Sequence, residues 1–446
     1  MLGWDWNNRR TSGIGVACYE IAKRLGKMVE LTIIIPKKER TDENLRIIAL
    51  NELPYQEHEY VQVTKTYLPE PVVEIITVPV ELEPYPTYEE KLIWRQLPPK
   101  TEVLTIVRQR KYIPEKVFRE ATELYGNDII TKLNAYAELA TKLSDDIKFD
   151  VVYAHDWITF YAAMQIQNRT RKPVVLHVHS LETDRSAPHN NRNQAFEIEK
   201  EAFDKADLII AVSQHIKQSI EKYYQAETSK IFVVHNGVNH WQEFLNFRQD
   251  FDNFFSIEGY PTHYRISFIG RVVHSKGVIQ FVEIASKLLE VFPSLRFAVA
   301  GEGEALWDMM YRTKELGIIT KFEFVGFLNQ EKLFELLKRT DVVLMPFISE
   351  PFGLSVAEAL SANVPVVLSK QSGIAEVLPS AFAVDYWNTS AFVEFLTELL
   401  HNSSKRWEYL KNIKQDITKA TWENTVKQIF EHIRYVVEEH DAPWFI

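Results

Sequence analysis

Two stretches of this 446-residue chain repeat one pattern: a β-branched strand, a turn that is polar or carries glycine, then an amphipathic helix. In the first stretch the strands read at 31–35, 73–78, 150–154, 173–177, 208–212 and 231–234. In the second they read at 264–269, 296–300, 322–325, 342–346, 365–368 and 381–384. Such alternation predicts an α/β chain with parallel sheets covered by helices on both faces. A hinge reads at 241–262, rich in Phe, Asp and Asn, with Gly259 and Pro261. Residues 422–439 read as one amphipathic helix. Residues 79–145 break the pattern with Pro84, Pro86, Pro98 and Pro99, followed by helical stretches at 115–124 and 129–143. They are expected to form an insertion, a lid or acceptor surface on one reading and plain structure on the other. Met1-Leu2-Gly3-Trp4 reads as the end of a first strand whose beginning is absent.

Composition narrows the function. A net charge of −10 is poor electrostatics for a nucleic-acid binder, and Arg108-Gln109-Arg110-Lys111 reads as solvated surface. No apolar run is long enough to span a bilayer, and no secretory signal is visible. The single cysteine, Cys18, excludes a disulfide framework and a Cys-rich metal site. The expectation is a cytoplasmic protein with no membrane segment and no nucleic-acid partner. Glycine is scarce, 15 in all, so its positions carry information.

In doubly wound sheets, ligands bind beyond the carboxyl ends of the strands. Three such ends carry groups suited to a phosphorylated ligand. After strand 264–269 come Gly270-Arg271 and Lys276-Gly277, in which a guanidinium can fork onto phosphate and a lysine adds a second charge. Two solvated cations on a surface turn is the competing reading. After strand 296–300, Gly301-Glu302-Gly303-Glu304 opens a helix; backbone approach to an anion and an ordinary tight turn both fit. After strand 342–346, Ser349-Glu350-Pro351-Phe352-Gly353-Leu354 leads to Glu358. A carboxylate accepts two hydrogen bonds at once, which suits a sugar or ribose diol. Ser355-Val356-Ala357-Glu358 also has capping-box spacing, which would make Glu358 a cap, though this leaves Glu350 unexplained.

In the first half, Gly13-Ile14-Gly15 precedes a helix at 16–25. This spacing superficially suggests a dinucleotide fingerprint with Glu39 as the ribose acid, but with Cys18 in the third glycine position and eight residues between strand and turn it is a poor fit. Backbone amides offered to a phosphate fit better. His177 and His179 point to one face of their strand, so a metal site with Glu182 and Asp184 competes with one packed and one ligand-facing histidine. His155-Asp156-Trp157 ends another strand with the same ambiguity.

Taken together, these segments resemble the family-4 retaining glycosyltransferases (glycosyl transferase group 1), in particular their bacterial starch/glycogen-synthase-like members. Besides the paired glutamates, the segments in family order are Gly270-Arg271…Lys276-Gly277, Gly301-Glu302-Gly303-Glu304, Val325-Gly326-Phe327 and Gly373…Glu376. In the first half they are His155-Asp156-Trp157, His179-Ser180-Leu181-Glu182, Ser213 and Val234-His235-Asn236-Gly237-Val238. Ten of the 15 glycines fall in these segments or in the Gly13 loop. The resemblance implies a GT-B fold of two facing Rossmann-like domains. The first would span 1–245 on the acceptor side, with the 79–145 insertion. A donor-binding domain would span 260–421, and a helix at 422–446 would cross back to the first.

The resemblance also implies roles. Arg271 and Lys276 would bind the donor diphosphate, Glu358 the ribose, and Glu350 with the Phe352, Gly353 and Leu354 backbone the sugar hydroxyls. His179 would stand beside the reacting sugar, and Gly13 and Gly15 would touch phosphate. Gly303 would line the donor site, and the base would lie near Gly326 and Phe327. The implied activity is transfer of glucose, with retention, from a nucleoside diphosphate donor (UDP- or ADP-glucose) to a carbohydrate hydroxyl such as that of an α-glucan, with no metal or other cofactor. A silent sugar-binding protein, an epimerase and a phosphorylase are the alternatives. The last is disfavoured for want of a pyridoxal-phosphate lysine segment. Three segments depart from the glycogen synthases and leave donor base and acceptor open: Gly3-Trp4-Asp5-Trp6-Asn7-Asn8, Arg10-Thr11-Ser12-Gly13-Ile14 and His179-Ser180-Leu181-Glu182.

Overall fold

The computed structural model describes residues 1–5, 13–38, 45–55, 59–67, 87–90, 102–110, 113–121, 123–126, 128–186, 192–238 and 264–441. The strand read at 73–78, the hinge read at 241–262 and Glu39 lie outside these residues. Two compact units result, one of residues 1–31 with 149–446 and one of residues 32–148.

The smaller unit holds a parallel pair, Thr32–Ile35 with Arg46–Ala49. It also holds an antiparallel sheet in which Glu102–Arg110 lies between Glu59–Tyr67 and Thr87–Glu90. That sheet departs from the all-parallel expectation, and its middle strand takes in Arg108-Gln109-Arg110. Strands 59–67 and 102–110 run antiparallel in register over nine residue pairs, a pairing that needs no crossover helix between them. Helices Pro114–Glu120 and Ile129–Leu143 follow, the first opened by a proline whose missing N–H costs nothing there. Tyr136 Oη donates to Ile34 O at 2.9 Å and ties the second helix to the parallel pair.

The larger unit is built on two parallel sheets. In one, Val152–His155, Val174–Val178, Leu208–Ala211 and Ile231–Val233 lie in chain order, and Leu2 bridges to Ala154 on the open side. In the other, the order is Phe322–Gly326, Arg296–Ala300, Arg265–Ile269, Val342–Met345, Val366–Ser369, Ala383–Val384. All its pairings are parallel. Counted along the chain this order is 3-2-1-4-5-6, so the winding reverses between Arg265–Ile269 and Val342–Met345. A crevice opens at such a reversal, beyond the carboxyl ends of those two strands. Val342–Met345 and Val366–Ser369 are buried throughout, as near-continuous apolar runs between two helical layers should be, and the one polar residue, Ser369, donates to Phe347 O at 2.6 Å.

The helix Trp422–Asp441 packs Trp422, Val426, Ile429, Ile433 and Val436 into a core shared with Ala17, Ile21, Leu25, Tyr153, Val175 and Ile210. The spacing of those five residues is one face of a helix. Gly237 makes the close approach possible. A Cβ there would lie 2.3 Å from Trp422 N, so any side chain would push the helix off. Val238 N donates to Ala420 O at 3.0 Å, and Thr425 Oγ1 donates to His235 O at 2.8 Å.

Candidate functional site

The groups expected to meet a phosphorylated ligand gather at the winding reversal. Gly270-Arg271, Gly301-Glu302-Gly303 and Gly326-Phe327 leave three neighbouring strands and are stitched together by their backbones. Gly270 N donates to Ala300 O (2.9 Å), Gly301 N to Gly326 O (2.8 Å) and Val272 N to Glu302 O (2.8 Å). Phe327 N donates to the Glu302 carboxylate at 3.3 Å, which leaves the Phe327 ring 64% exposed over the turn. Arg271 is exposed beside them.

Lys276 behaves differently from the solvated cation that a surface turn would carry. It lies over the Phe347 ring, 5.2 Å from the centroid, and its ammonium donates to Glu350 Oε2. Burial and the neighbouring Arg271 cation lower the ammonium to about 7, while the Glu350 carboxylate beside it pulls the other way. Gly277 lets the chain turn here with φ 73°; a Cβ would sit 1.8 Å from Pro346 O.

Glu350 is 6% exposed. Its N–H donates to Gln371 O (2.9 Å) and its carbonyl accepts from Gly373 N (3.1 Å), which pins the loop to the neighbouring strand end. Phe352 is buried beneath it. The helix Leu354–Ser361 then begins from Gly353 at φ 109°, with no side-chain cap. Ser355 and Glu358 therefore both lie inside the helix, and the capping-box reading is wrong: left-handed Gly353 occupies the cap position. Glu358 is half-buried in the second turn, not at the helix start. Gly13, the first residue of helix Gly13–Leu25, faces this helix; a Cβ on it would be 3.7 Å from Leu354 Cδ1. Gly15 is buried within the first turn, where a Cβ would meet the Asp5 carboxylate at 3.3 Å.

In the first sheet, three imidazoles stack behind the site. His177 and His179 ring centroids are 4.2 Å apart, and His155 lies 5.2 Å from His179. His155 Nδ1 and His179 Nε2 share a hydrogen bond of 2.9 Å, and Tyr153 Oη bonds His177 Nδ1 at 2.5 Å. Burial holds all three below the ordinary histidine range, His179 at about 3, so each is neutral at pH 7. His155 Nε2, His177 Nε2 and His179 Nδ1 have no hydrogen-bond partner.

The competing metal reading of His177 and His179 with Glu182 and Asp184 finds its two carboxylates engaged elsewhere. Glu182 bonds Arg185 and Asn193 (2.9 Å each), and Asp184 bonds Ser349 at 2.6 Å. Among the described residues, the group whose donor atoms come within 4.8 Å of one another is Cys18, His155 and His179. Two of its nitrogens are already committed to each other.

Asp156 takes over the placing of His179. Its Oδ1 accepts from His179 N (2.6 Å) and Ser180 N (3.2 Å), and its Oδ2 accepts from Ser180 Oγ (3.2 Å). Burial raises this carboxyl to about 6 against the pull of Arg185 and those amides.

Sequence reasoning missed a seam between the two sheets. Glu376 accepts from Gln214 N (2.7 Å), His215 N (2.9 Å) and His235 Nε2 (2.7 Å). Burial alone would raise Glu376, but these bonds hold it below its ordinary value. Ser213 Oγ donates to Pro351 O at 2.7 Å. Ser213, His235 and Glu376 had stood only as members of matching segments. Their common address depends on contacts across 138 to 162 residues of chain.

No helix among the described residues is long and apolar enough to cross a membrane. The family model of glycosyltransferase family 4 matches residues 11–242, and that of glycosyl transferases group 1 matches residues 250–416. An uncharacterized glycosyltransferase of Methanocaldococcus jannaschii is 28% identical over 308 residues, 65% of this chain and 76% of its own. Sucrose-phosphate synthase from Thermosynechococcus elongatus shares the fold at TM-score 0.65 and 15% identity, covering 98% of this chain and 96% of its own. Anabaena HepE, solved in complex with UDP and glucose, does so at TM-score 0.54 and 16% identity, over 70% of this chain and 84% of its own. With parallel sheets in two α/β halves and both family models matched in order, the chain has the GT-B fold and belongs to glycosyltransferase family 4.

Proposed function

We propose that the chain transfers a hexosyl group, glucose in the first instance, from a nucleoside diphosphate to a carbohydrate hydroxyl with retained anomeric configuration. The observation that carries this is the buried Lys276–Glu350 pair at the winding reversal, with Arg271 beside it. Such a pair is costly without a charged ligand to serve. A diphosphate would take the Lys276 ammonium and the Arg271 guanidinium, freeing Glu350 to accept bonds from sugar hydroxyls. Glu358 would receive the ribose diol, and the exposed Phe327 ring would meet the base. As the anomeric bond breaks, its electron pair leaves with the diphosphate, where the two cations and the uncapped helix at Leu354 meet the growing charge. The Gly13 amide, at the start of its helix, would touch the same phosphate. Neutral His179, with Nδ1 unpartnered, would offer a hydrogen bond to the sugar rather than a charge.

UDP-glucose is the first donor to test, since HepE holds UDP and glucose, and ADP-glucose the second. The single cysteine is buried, in keeping with a reducing, cytoplasmic setting. In a thermal-shift screen of UDP-, ADP- and GDP-sugars, at least one is expected to raise the melting temperature, with the product anomer then read by NMR. Stabilisation by none would overturn the reading.

Lys276 adds a pH signature. With its ammonium at about 7 before binding, the free chain has to take up a proton to bind a diphosphate above that pH. Affinity for the nucleotide sugar, whose diphosphate diester does not titrate there, is expected to weaken up to tenfold per pH unit above 7. Calorimetric titrations from pH 7 to 9 check this; a flat profile counts against the assignment.

A further inference from the structure

We propose that Asp184, acting through the Ser349 hydroxyl, is a positioning residue that sets the Glu350 loop against the loop carrying His179. The proposal rests on the reading that Glu350 and His179 serve a donor sugar.

Asp184 is 5% exposed and Ser349 8% exposed, so neither bond competes with bulk water. Asp184 Oδ2 accepts from Leu181 N at 2.9 Å, two residues beyond His179. Its Oδ1 accepts from Ser349 Oγ at 2.6 Å, one residue before Glu350 and 165 residues away along the chain. One carboxylate thus joins the two loops. A serine has one proton, and it goes to the carboxylate. The Ser349 oxygen is then left to accept from His215 Nε2 at 3.0 Å, and the His215 backbone is in turn held by Glu376. On the other side of Glu350, Pro351 O accepts from Ser213 Oγ. Both residues flanking Glu350 are therefore bonded to groups of the first half, although Glu350 belongs to the second. The Glu350 backbone itself is bonded within its own half, to Gln371 and Gly373, as Ser349 N is to Ser275 O, so the bonds from Asp184 and Ser213 register that loop against the opposite half.

A charge-assisted buried hydrogen bond contributes enough that its loss from the reacting arrangement corresponds to about a ten- to hundred-fold change in rate. Ser349→Ala and Asp184→Asn are each expected to lower kcat by that factor. Because they break one link, the double variant should be no slower than the worse single within about twofold. Nucleotide affinity should stay within about threefold, and Ser349→Thr, which keeps the hydroxyl, should recover much of the rate. Should Asp184→Asn not fold, Ser349→Ala and Ser349→Thr carry the comparison alone. Wild-type kcat in the single variants overturns the proposal, as do losses that multiply in the double. A lowered melting temperature with unchanged kcat per folded molecule also overturns it, because that is what a structural bond alone would give. Failure of the donor reading looks different: the unaltered chain would then neither bind nor turn over any nucleotide sugar, and the proposal would fall with it.

Discussion

Lys276→Ala is expected to lower turnover of a nucleotide sugar by about two to three orders of magnitude. Two losses coincide. A positive charge aimed at the departing diphosphate disappears, and Glu350 keeps its charge at 6% exposure with its partner gone. The second loss falls on stability as well, since breaking a buried pair from one side costs about 3–5 kcal/mol. The two effects separate in a Lys276→Met, Glu350→Gln double variant, which removes both charges. It should regain most of the melting temperature lost by Lys276→Ala and remain as inactive. Initial rates with the preferred donor, beside thermal melts of all three chains, decide the matter. Near-wild-type turnover in Lys276→Ala would remove this lysine from the chemistry. Arg271→Ala should act on turnover alone, because Arg271 is exposed.

Trp422→Ala is expected to cost about 3–5 kcal/mol of unfolding free energy. Trp422 is 1% exposed and fills a core formed by the N-terminal helix, the first sheet and the last helix. Little can collapse into the space it would leave, since Gly237 brings backbone directly against the Trp422 backbone and ring. Urea denaturation followed by tryptophan-independent circular dichroism gives the number. A loss below about 1 kcal/mol would mean that the last helix is docked by something other than this side chain. The site proposed on the second sheet should keep its affinity for a nucleotide sugar in the folded fraction.

The strands legible in the sequence were those whose β-branched runs lie between turns and helices, and the residues proposed to hold the donor were singled out because each follows such a strand end. Glu350, Arg271 and Lys276 needed no tertiary information to be singled out. What they do to one another did. The seating of Lys276 over the Phe347 ring follows from a glycine turn 70 residues upstream of that ring, which no local pattern announces. Ser355 and Glu358 carried a spacing that two structures satisfy, and only the backbone at Gly353 chose between them. His177 and His179 were read correctly as sharing a face, yet Tyr153 and His155, from the neighbouring strand, decided what surrounds them. Asp184 entered the sequence reading only as one carboxylate of a competing metal site; in space it bonds Ser349. The antiparallel sheet of the smaller unit was missed because the expectation was drawn from the helical alternation of the rest of the chain.

The docking of the last helix has a consequence for synthesis. Ala17, Ile21 and Leu25 leave the ribosome early, but the apolar face that covers them is encoded at Trp422, Val426, Ile429, Ile433 and Val436. The second sheet, complete by Val384, has all its strands while that covering face is still untranslated. Until the last helix is made, the core that the first helix shares with the first sheet lacks the five side chains that close it, leaving apolar surface of the kind that chaperones hold. Domain order in the gene and order of completion in the cell are reversed: the half made first is the half finished last.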